Sequence, residues 1–352
     1  MSSPVRVAVL SLEPWDDVWR RNQHFAARLV RDPAVRDLLF VTPPRGGLAW
    51  RAQRHRPLPG VEVVTPPLLV PRRFGGYRVL GAWLRRATRS ADVLWINDPV
   101  AGVAALRPGV RAVYDVTDDW RSMPQADADA RRTVTAEDIL ARRATTVVCS
   151  DELALRWQQR YAVQPTVVRN GVDVSAIRGA QPIELAGRAP HAVYVGTLHA
   201  NRFDVALTAA LAQAWPGTVH LVGPIGLSEI HRTLLTDAGA RLVGAVPARD
   251  VPRWLVAADV LICPHVVDDF TLSLDAIKSH EYLATDLPVV ATPSSGFQSL
   301  SAPGLTVVDR DRFVDAALVA AGAGPVRRDV AVDWDERAAQ FRDVLLPDGD
   351  AR

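Results

Sequence analysis

Short apolar runs rich in valine, leucine and isoleucine alternate with stretches of helical periodicity along the chain. Apolar runs of about four to eight residues bounded in this way are typical of buried strands. In the first half the predicted strands are Val5–Leu12, Leu38–Thr42, Val61–Thr65, Val93–Asn97, Ala112–Val116, Thr146–Ser150 and Thr166–Arg169. The helices predicted between them are Asp17–Val30, Gly76–Thr88, Val100–Leu106, Asp129–Arg143 and Glu152–Tyr161.

The alternation begins again in the second half of the chain. The predicted strands there are Val193–Val195, Val219–Val222, Arg241–Val243, Val260–Cys263, Val289–Ala291 and Thr306–Val308. Near-continuous apolar strands separated by helices indicate parallel sheets covered on both faces. The predicted fold class is therefore α/β, with two doubly wound, Rossmann-like domains and a cleft between them.

The change of pattern sets the predicted domain boundaries. We place the first domain at residues 1–169, the second at 170–330 and a final helical segment at 331–352. The segment Val174–Pro190 has weak periodicity, which is typical of a linker. The last helix, about Val332–Leu346, packs on the second domain or crosses back to the first, and its periodicity does not distinguish the two.

Charge and cysteine content narrow the function classes. The formal net charge of +2 gives no indication of nucleic-acid binding. The two cysteines end strand-like runs, as expected of small buried thiols in a reduced, cytoplasmic protein. No signal-peptide pattern opens the sequence, and no apolar run approaches the ~18 residues of a membrane span. We expect a cytoplasmic protein that acts on small molecules; the oligomeric state is left open.

A single lysine stands out among the basic residues. Lys and Arg number 41 together, and Lys278 is the one lysine. Lysine offers a compact charge with three rotatable donors, which suits a phosphate in a tight site. The alternative is that a lysine-poor composition leaves one lysine by chance.

The segment around Lys278 reads as a loop that runs into a helix, with Ser273 or Asp275 as the candidate cap. Glu281 falls on the apolar stripe of that helix, where a carboxylate is costly unless it is hydrogen-bonded. The alternative is a Lys278–Glu281 pair on a solvated face. A strand follows directly, so the helix begins at the sheet edge where α/β proteins bind anions and nucleotides.

A second candidate segment is a strand that ends in Gly196 and continues through a short loop into a helix. Gly196 permits close backbone approach to a ligand, and Arg202 lies near the helix start, within reach of a phosphate. Further on, Gly244–Pro247 follows another strand and offers backbone groups to a nucleobase.

Together these motifs resemble the retaining glycosyltransferases of the GT-B fold, in the large family 4. The resemblance is carried, in order, by Asn170–Asp173, Val195–Leu198, Gly244–Pro247, Ala257–Val260, Lys278, Glu281–Ala284, Pro288–Thr292 and Val332–Ala338. It is specific in the second half of the chain and loose in the first.

The resemblance implies a nucleotide-sugar site in the second domain. It implies that Glu281 binds the ribose hydroxyls, that Arg202 and Lys278 neutralise the diphosphate as it leaves, and that the backbone near Val246 faces the base. Gly196 and Thr197 belong to the same site. No metal or cofactor is implied besides the donor, whose nucleotide (UDP, GDP or dTDP) is not distinguished.

One position departs from the family. Its members usually carry a glutamate eight residues before the ribose-binding one, and this chain has Ser273 there. We expect Thr271, Ser273 and the backbone around Leu274 to replace that contact with the donor sugar.

The first domain is expected to hold the acceptor. Its opening loop contains Trp15 and Trp19 and leads to Asn22, and aromatic faces stack on sugars or apolar aglycones. The alternative for one tryptophan is a core contact. Asp115 aligns roughly with the active-site His or Asp of the family. Asp118 is the second candidate for that role; the alternative for Asp118 is that it caps a helix.

The reaction implied is transfer of a hexosyl group to a hydroxyl with retention. No protein nucleophile is expected, because the leaving phosphate takes the acceptor's proton on the same face. The alternatives are a nucleotide-sugar epimerase and a non-catalytic binding module. An NAD-dependent oxidoreductase is the weakest, because no G-x-G-x-x-G follows the first strand.

The basic segment Pro71–Arg89 gives one further hypothesis. It contains Arg72, Arg73, Phe74 and Trp83, a composition that suits a helix lying on anionic lipid. A helix that covers a sheet and exposes a basic face is the favoured alternative, so peripheral membrane contact is not the primary expectation.

Overall fold

Two compact units make up the chain in the computed structural model, which describes residues 3–44, 50–67, 70, 76–122 and 127–347. The first unit comprises 1–169 and 334–352, and the second comprises 170–333. Each is built around one predominantly parallel sheet with helices packed on it. The predicted fold class, two doubly wound α/β domains, is confirmed.

The described residues of the first unit form eight strands in the order β3-β4-β2-β1-β5-β6-β7-β8. Its strands are β1 Val5–Leu10, β2 Val35–Val41, β3 Gln53–Leu58, β4 Val61–Thr65, β5 Val93–Ile96, β6 Arg111–Val116, β7 Thr145–Val148 and β8 Thr166–Val167. Its helices are α1 Arg21–Leu29, α2 Gly76–Ala87, α3 Pro99–Ala105, α4 Asp127–Arg143, α5 Asp151–Tyr161 and the last helix of the chain, α13 Trp334–Leu345. The central strands are apolar and buried, as the hydrophobic runs predicted.

The second unit contains six parallel strands in the order β11-β10-β9-β12-β13-β14. These are β9 His191–Val195, β10 Thr218–Val222, β11 Arg241–Gly244, β12 Val260–Cys263, β13 Val289–Ala291 and β14 Leu305–Val307. The helices are α6 Val174–Arg178, α7 Val205–Ala214, α8 Glu229–Asp237, α9 Val251–Val256, α10 Asp269–Ser273, α11 Ile277–Ala284 and α12 Phe313–Ala320. Apolar clusters cover both faces of this sheet.

Three sequence-based assignments differ from the structure. Strand β3 was not predicted, because its polar sequence with one proline lacks alternation; it is an exposed edge strand, antiparallel to β4. Helix α1 begins at Arg21 rather than Asp17, where the Gln23 side chain accepts from the backbone N–H of Arg20. The segment predicted as a linker begins with helix α6, whose Ile177 is buried in the second unit.

The predicted basic segment falls partly outside the described residues, since 71–75, with Arg72, Arg73 and Phe74, are not described. From Gly76 it forms α2, which buries Leu84 and exposes Arg85 and Arg86. No helix in the described ranges is long and apolar enough to cross a bilayer.

Helix α13 packs on α1, within the first unit. The Trp334 ring stacks on His24 at 4.3 Å between centroids, and the Phe341 ring lies 5.0 Å from Phe25 and 4.8 Å from Trp95. This aromatic contact fixes α1 over the sheet and places Arg21 above the end of β6.

Arg21 forms a buried ion pair with Asp115, the fifth residue of β6. Nε of Arg21 donates to both carboxylate oxygens at 3.1 and 3.0 Å, and Nη2 donates to Oδ1 at 3.0 Å. The Trp95 indole N–H donates to the same carboxylate at 3.2 Å. Asp115 has no exposed surface and Arg21 is 4% exposed. Each charge is therefore compensated by the other in a dry environment.

We expect Arg21→Met to lower the free energy of unfolding by about 3–5 kcal/mol, because the Asp115 carboxylate is left buried without its cation. Urea denaturation followed by circular dichroism measures the change. The control is Arg36→Met, which removes an exposed pair with Asp37 and is expected to cost less than about 1 kcal/mol. Equal losses for the two variants would contradict this account of the buried pair.

Candidate functional site

The centre of the candidate site is the ammonium group of Lys278, in the first turn of α11. It lies against Gly196, the residue that follows β9: a Cβ at this position would collide with Nζ of Lys278 and approach the Tyr194 hydroxyl to 3.0 Å. Gly196 also has φ of +149°, which side chains rarely permit. The glycine is required both by its backbone conformation and by the lysine beside it.

Neutral groups hold the ammonium. Nζ of Lys278 donates to the Tyr194 hydroxyl at 2.7 Å and lies 3.1 Å from Nε2 of His265. Nδ1 of His265 lies 2.8 Å from the hydroxyl of Ser295. An ammonium group can donate hydrogen bonds but cannot accept them. Nε2 of His265 must therefore accept from Lys278, and Nδ1 carries the proton. No carboxylate forms a salt bridge with Lys278 in the part of the chain that the structure describes.

Lys278 is half-buried and forms no salt bridge with the described residues, and this environment shifts the titration of its amine. Desolvation is the largest cause and lowers the pKa of Lys278 to about 8, and Arg202 lowers it further, while Cys263 and Glu281 oppose the shift. The pKa of His265 is lowered well below its usual value by burial and by the Lys278 and Arg202 charges. His265 is therefore neutral, and the site contains two cations, Lys278 and Arg202, beside one carboxylate, that of Glu281.

Arg202 lies in the loop between β9 and α7. Its backbone carbonyl accepts from the N–H of Val266 at 2.8 Å, so the loops after β9 and β12 are joined at this point. The guanidinium carbon lies 4.9 Å from the centre of the Phe270 ring. Among the described residues no side-chain hydrogen bond or ion pair engages this guanidinium, which leaves its donors available to an anion.

Glu281 lies one helical turn after Lys278 and is half-buried. Desolvation raises the pKa of its carboxyl group, and Lys278 and then His280 oppose that shift. No hydrogen bond to the carboxylate is formed by the described residues, and the Lys278–Glu281 surface pair considered from the sequence does not form at salt-bridge distance. A half-buried carboxylate of this kind can accept hydrogen bonds from a ligand hydroxyl pair.

Four of these side chains lie at one edge of the second sheet, namely those of Lys278, His265, Arg202 and Glu281. The chain builds β10 and β11 on one side of β9 and then crosses to β12 on the other, so the strand order reverses between β9 and β12. Ligands of doubly wound sheets bind at such a reversal, outside the carboxyl ends of the strands. Gly196 follows β9 and His265 follows β12, and α11 presents an N-terminal turn without a side-chain cap.

The helix around Lys278 differs from the sequence-based prediction. Two helices, α10 and α11, replace one, because the chain is extended at Leu274. Ser273 and Asp275 do not cap α11. The hydroxyl of Ser273 donates to the Phe270 carbonyl at 2.7 Å, and the Asp275 carboxylate accepts from the backbone N–H of Asn170 at 2.6 Å.

Asp275 belongs to a buried cluster that the sequence did not reveal. Nε2 of His280 lies 3.0 Å from its carboxylate, and the Asn170 side chain donates to its backbone carbonyl. This cluster attaches the Asn170 turn to the base of α11. The partner of the Asn170 turn lies 105 residues away along the chain, so no local pattern indicates this contact.

The remaining donor-side residues vary in exposure. Thr271 is fully buried, donates to the Val266 carbonyl at 2.7 Å and shares a capping box with Asp268; Leu274 is buried as well. Val246 is half-buried and Thr197 is exposed. Direct contacts of Thr271 and Ser273 with a donor sugar stay predictions, since both hydroxyls already donate to backbone carbonyls.

In the first unit the structure encloses the side chain of Asp115. Its carboxylate is enclosed by Arg21 and Trp95 and has no exposed surface. In this arrangement a substrate hydroxyl does not reach it, and its catalytic role stays a prediction. Asp118, half-buried after β6, accepts from the Thr117 hydroxyl at 3.0 Å and does not cap a described helix.

The opening loop contributes aromatic surface. The Trp15 ring packs edge-on against Phe40 at 4.9 Å and against Trp19 at 5.9 Å. Trp15 is therefore the core contact, while Trp19 is 36% exposed. Asn22 is buried and donates to Asn97 at 2.8 Å and to Ser11 at 3.0 Å. Burial raises the pKa of Glu13, with Arg20 opposing and Asp118 reinforcing the shift.

Sequence reasoning missed His265, Tyr194 and Arg21 as site or supporting residues. His265 and Tyr194 did have a signal, because each is a polar residue in or directly after an apolar strand of the same sheet. Arg21 had none, since its partner lies 94 residues away.

With this geometry established, comparison with known proteins identifies the domain. Residues 189–329 match the family model described as "Glycosyl transferases group 1". This segment is therefore similar to the group 1 glycosyl transferases. The matched range contains Gly196, Arg202, Lys278 and Glu281, so the resemblance drawn from the sequence is confirmed. No curated protein matches the chain in a sequence search.

Solved structures extend the likeness to the whole chain. Sucrose-phosphate synthase from Thermosynechococcus elongatus is similar with a TM-score of 0.74 and 14% identity, covering 97% of this chain and 98% of that one. Anabaena HepE, solved in complex with UDP and glucose, gives a TM-score of 0.65 and 17% identity, covering 97% and 99%. AviGT4, a glycosyltransferase involved in avilamycin A biosynthesis, gives 0.59 and 15%, covering 97% of both chains.

At these identities the similarity establishes the fold. The segment that matches the family model lies in the second of two Rossmann-like domains, which together have the GT-B fold. Within the described ranges, no group of three or more His, Cys, Asp or Glu side chains is arranged to hold a metal ion.

The unique lysine makes the site directly measurable. Protein labelled with ¹³C-lysine should give one Cε resonance, and we expect it to titrate with a pKa of about 8 rather than 10.5. Gly196→Ala should push the amine away from Tyr194 and His265 and raise that pKa toward 10.5. The control is Gly244→Ala, which has φ of +84° but no atom within 4 Å of the new Cβ, and should leave the pKa near 8. A wild-type pKa near 10.5 would contradict the desolvated geometry.

Proposed function

We propose that the protein transfers a hexosyl group from a nucleoside-diphosphate sugar to an acceptor hydroxyl, with retention of configuration. The observation that carries the proposal is the ammonium of Lys278, which is desolvated at the carboxyl edge of the sheet without a carboxylate partner. A buried cation is costly unless an anion compensates it. A diphosphate provides that anion.

Arg202 supplies the second cation of the proposed diphosphate site. Its effect on the pKa values of both Lys278 and His265 indicates that the three groups face one region. Lysine contributes a point charge and arginine a planar fork, and together they stabilise negative charge as the diphosphate leaves. The uncapped first turn of α11 adds oriented backbone N–H groups. This assignment requires no divalent metal ion.

Glu281 is the proposed ribose ligand. Its carboxylate is half-buried and is not engaged by the described residues, and two adjacent ribose hydroxyls offer it two donors. The resemblance to family 4 assigns the same role to this position. The backbone near Val246, after β11, is proposed to face the base, and Thr197, Thr271, Ser273 and Leu274 to border the sugar.

Retention follows in this proposal from the leaving group. The departing phosphate, held by Lys278 and Arg202, accepts the acceptor's proton on the face from which it leaves. The enzyme then contributes positioning and electrostatic stabilisation. The acceptor is proposed to be a small molecule bound by the first unit near Trp19, Asn22 and Asp118, with Trp15 behind Trp19. Asp115 is proposed, from the family resemblance, to contact the transition state. That contact requires its carboxylate to leave the enclosed position described above.

Nucleotide binding tests the donor site. UDP, GDP, dTDP and ADP are compared by thermal shift, with UDP as the first candidate because HepE was solved with UDP. We expect one of them to stabilise the wild type selectively, and Glu281→Ala to weaken its binding at least tenfold, since two charge-assisted hydrogen bonds are lost. The matched control is Glu184→Ala, an exposed glutamate of the same unit, which should bind like the wild type.

Two results would contradict the proposal: no stabilisation by any nucleotide at millimolar concentration, or equal effects of the Glu281 and Glu184 substitutions. Product analysis then separates transfer from epimerisation. With acceptor, a transferase releases the nucleoside diphosphate, whereas an epimerase returns an altered nucleotide sugar.

The Lys278 pKa predicts the pH dependence of binding. The diphosphate binds the protonated amine and raises its pKa in the complex, so affinity is full below about pH 8 and falls as pH rises through that value. We expect a slope of about one decade per pH unit above pH 8, measured by isothermal titration calorimetry. Lys278→Met should bind more weakly with no such slope. A pH-independent wild-type affinity from pH 7 to 10 would contradict the assignment.

A further inference from the structure

A cavity of about 320 Å³ lies in the first unit at the carboxyl ends of its central strands. The chain builds β2 beside β1 on one side and later places β5 on the other, so the strand order reverses between β1 and β5. Leu12, which follows β1, and Asp98, which follows β5, both line the cavity. The cavity therefore occupies the position at which a doubly wound sheet binds its ligand.

Most of the side chains described in the lining of this cavity are apolar. Helix α2 contributes Leu80 and Leu84, α3 contributes Val100 and Ala101, and the Trp120 side chain follows β6. The remaining lining residues described are Leu12, Pro43, Pro44, Gly81, Pro99, Ala104, Thr133 and Asp98. Val100 and Trp120 are half-buried, so the cavity opens to solvent. Concave sites with this composition bind apolar groups of small molecules.

Charge is nearly absent from the lining. Asp98 is the one ionisable side chain among the described lining residues, and its carboxylate accepts from the N–H of Ala101 at 3.0 Å as the cap of α3. The lining residues that the structure describes include no arginine or lysine. The chemistry contrasts with the two cations of the donor site.

A polar network borders the cavity on the β1 side. The backbone N–H of Leu12 donates to Oδ1 of Asn97 at 3.2 Å, and Nδ2 of Asn22 donates to the same oxygen at 2.8 Å. Oδ1 of Asn22 is buried and has no hydrogen-bond partner among the described residues. A buried amide oxygen without a donor is a vacant acceptor, which a hydroxyl can satisfy.

We propose that the acceptor carries a neutral apolar group, alkyl or aryl, which occupies this cavity. The proposal rests on the proposed transferase function and specifies its substrate class. The reactive hydroxyl then belongs to the polar end of an amphiphilic acceptor, on the side of Asn22 and Asn97. An acceptor composed of sugar alone would leave the apolar wall from Leu80 to Trp120 unused.

Two glucosides test the inference. n-Hexyl and methyl β-D-glucopyranoside share one polar part and differ in the apolar chain, and saturation-transfer NMR titration gives the affinity of each. We expect the wild type to bind the hexyl compound at least tenfold more tightly, because the additional methylenes are buried. Ala101→Leu, which fills the cavity, should abolish most of that preference. Ala82→Leu, on the exposed side of α2, should retain it.

A second variant guards against misfolding of the first. Leu80→Ser keeps the cavity open but makes one wall polar, and should reduce the hexyl preference several-fold. Equal binding of the two glucosides to the wild type, or a hexyl preference unchanged by both cavity variants, would overturn the inference. The preferred nucleotide should still stabilise Ala101→Leu against heat, because the substitution lies outside the donor site. If no nucleotide stabilises the wild type, the proposed donor site is refuted and the cavity inference is not.

Discussion

The ammonium of Lys278 is the constraint on which the second unit is organised. The amine is desolvated, and no carboxylate of the described residues forms a salt bridge with it; in the proposed function a diphosphate compensates its charge. Tyr194 and His265 provide neutral acceptors for it, and the lysine keeps its charge for a ligand at the cost of a lowered pKa. Gly196 has no side chain and so leaves space for the amine. Gly223, which follows β10, has φ of +136°, and a Cβ there would collide with the Gly196 carbonyl oxygen.

The two units use one architecture for opposite chemistry. Each places its candidate ligand region where the strand order reverses, between β9 and β12 in one and between β1 and β5 in the other. In the second unit that edge contains the cations Lys278 and Arg202 and the carboxylate of Glu281, to which no described residue donates a hydrogen bond. In the first unit it is lined by leucine, proline and tryptophan beside a small amide network. A polar, anionic donor and an amphiphilic acceptor are the pair of ligands that this contrast favours.

Burial also separates residues that look alike in sequence. Asp115 and Asp118 both follow an apolar strand, and either suits a sugar-binding role. Asp115 points at Arg21 and Trp95 and is enclosed, because α1 is fixed by its aromatic contacts with α13. Its measurable contribution in this structure is to stability. Asp118 stays near the surface, close enough to Glu13 to raise the pKa of that carboxyl group.

The sequence by itself determined the fold class and most strand positions, and it predicts Gly196, Arg202, Lys278 and Glu281 as donor-side residues. These depend on local patterns: apolar runs of strand length, a glycine after a strand, and a rare lysine at a helix start. Only the tertiary structure decided the partners of those residues. His265 with Lys278, Asp275 with Asn170, and Arg21 with Asp115 join positions 13, 105 and 94 residues apart. Such pairs form because the strands are reordered in the sheet, and a side chain's burial depends on neighbours that local periodicity does not specify.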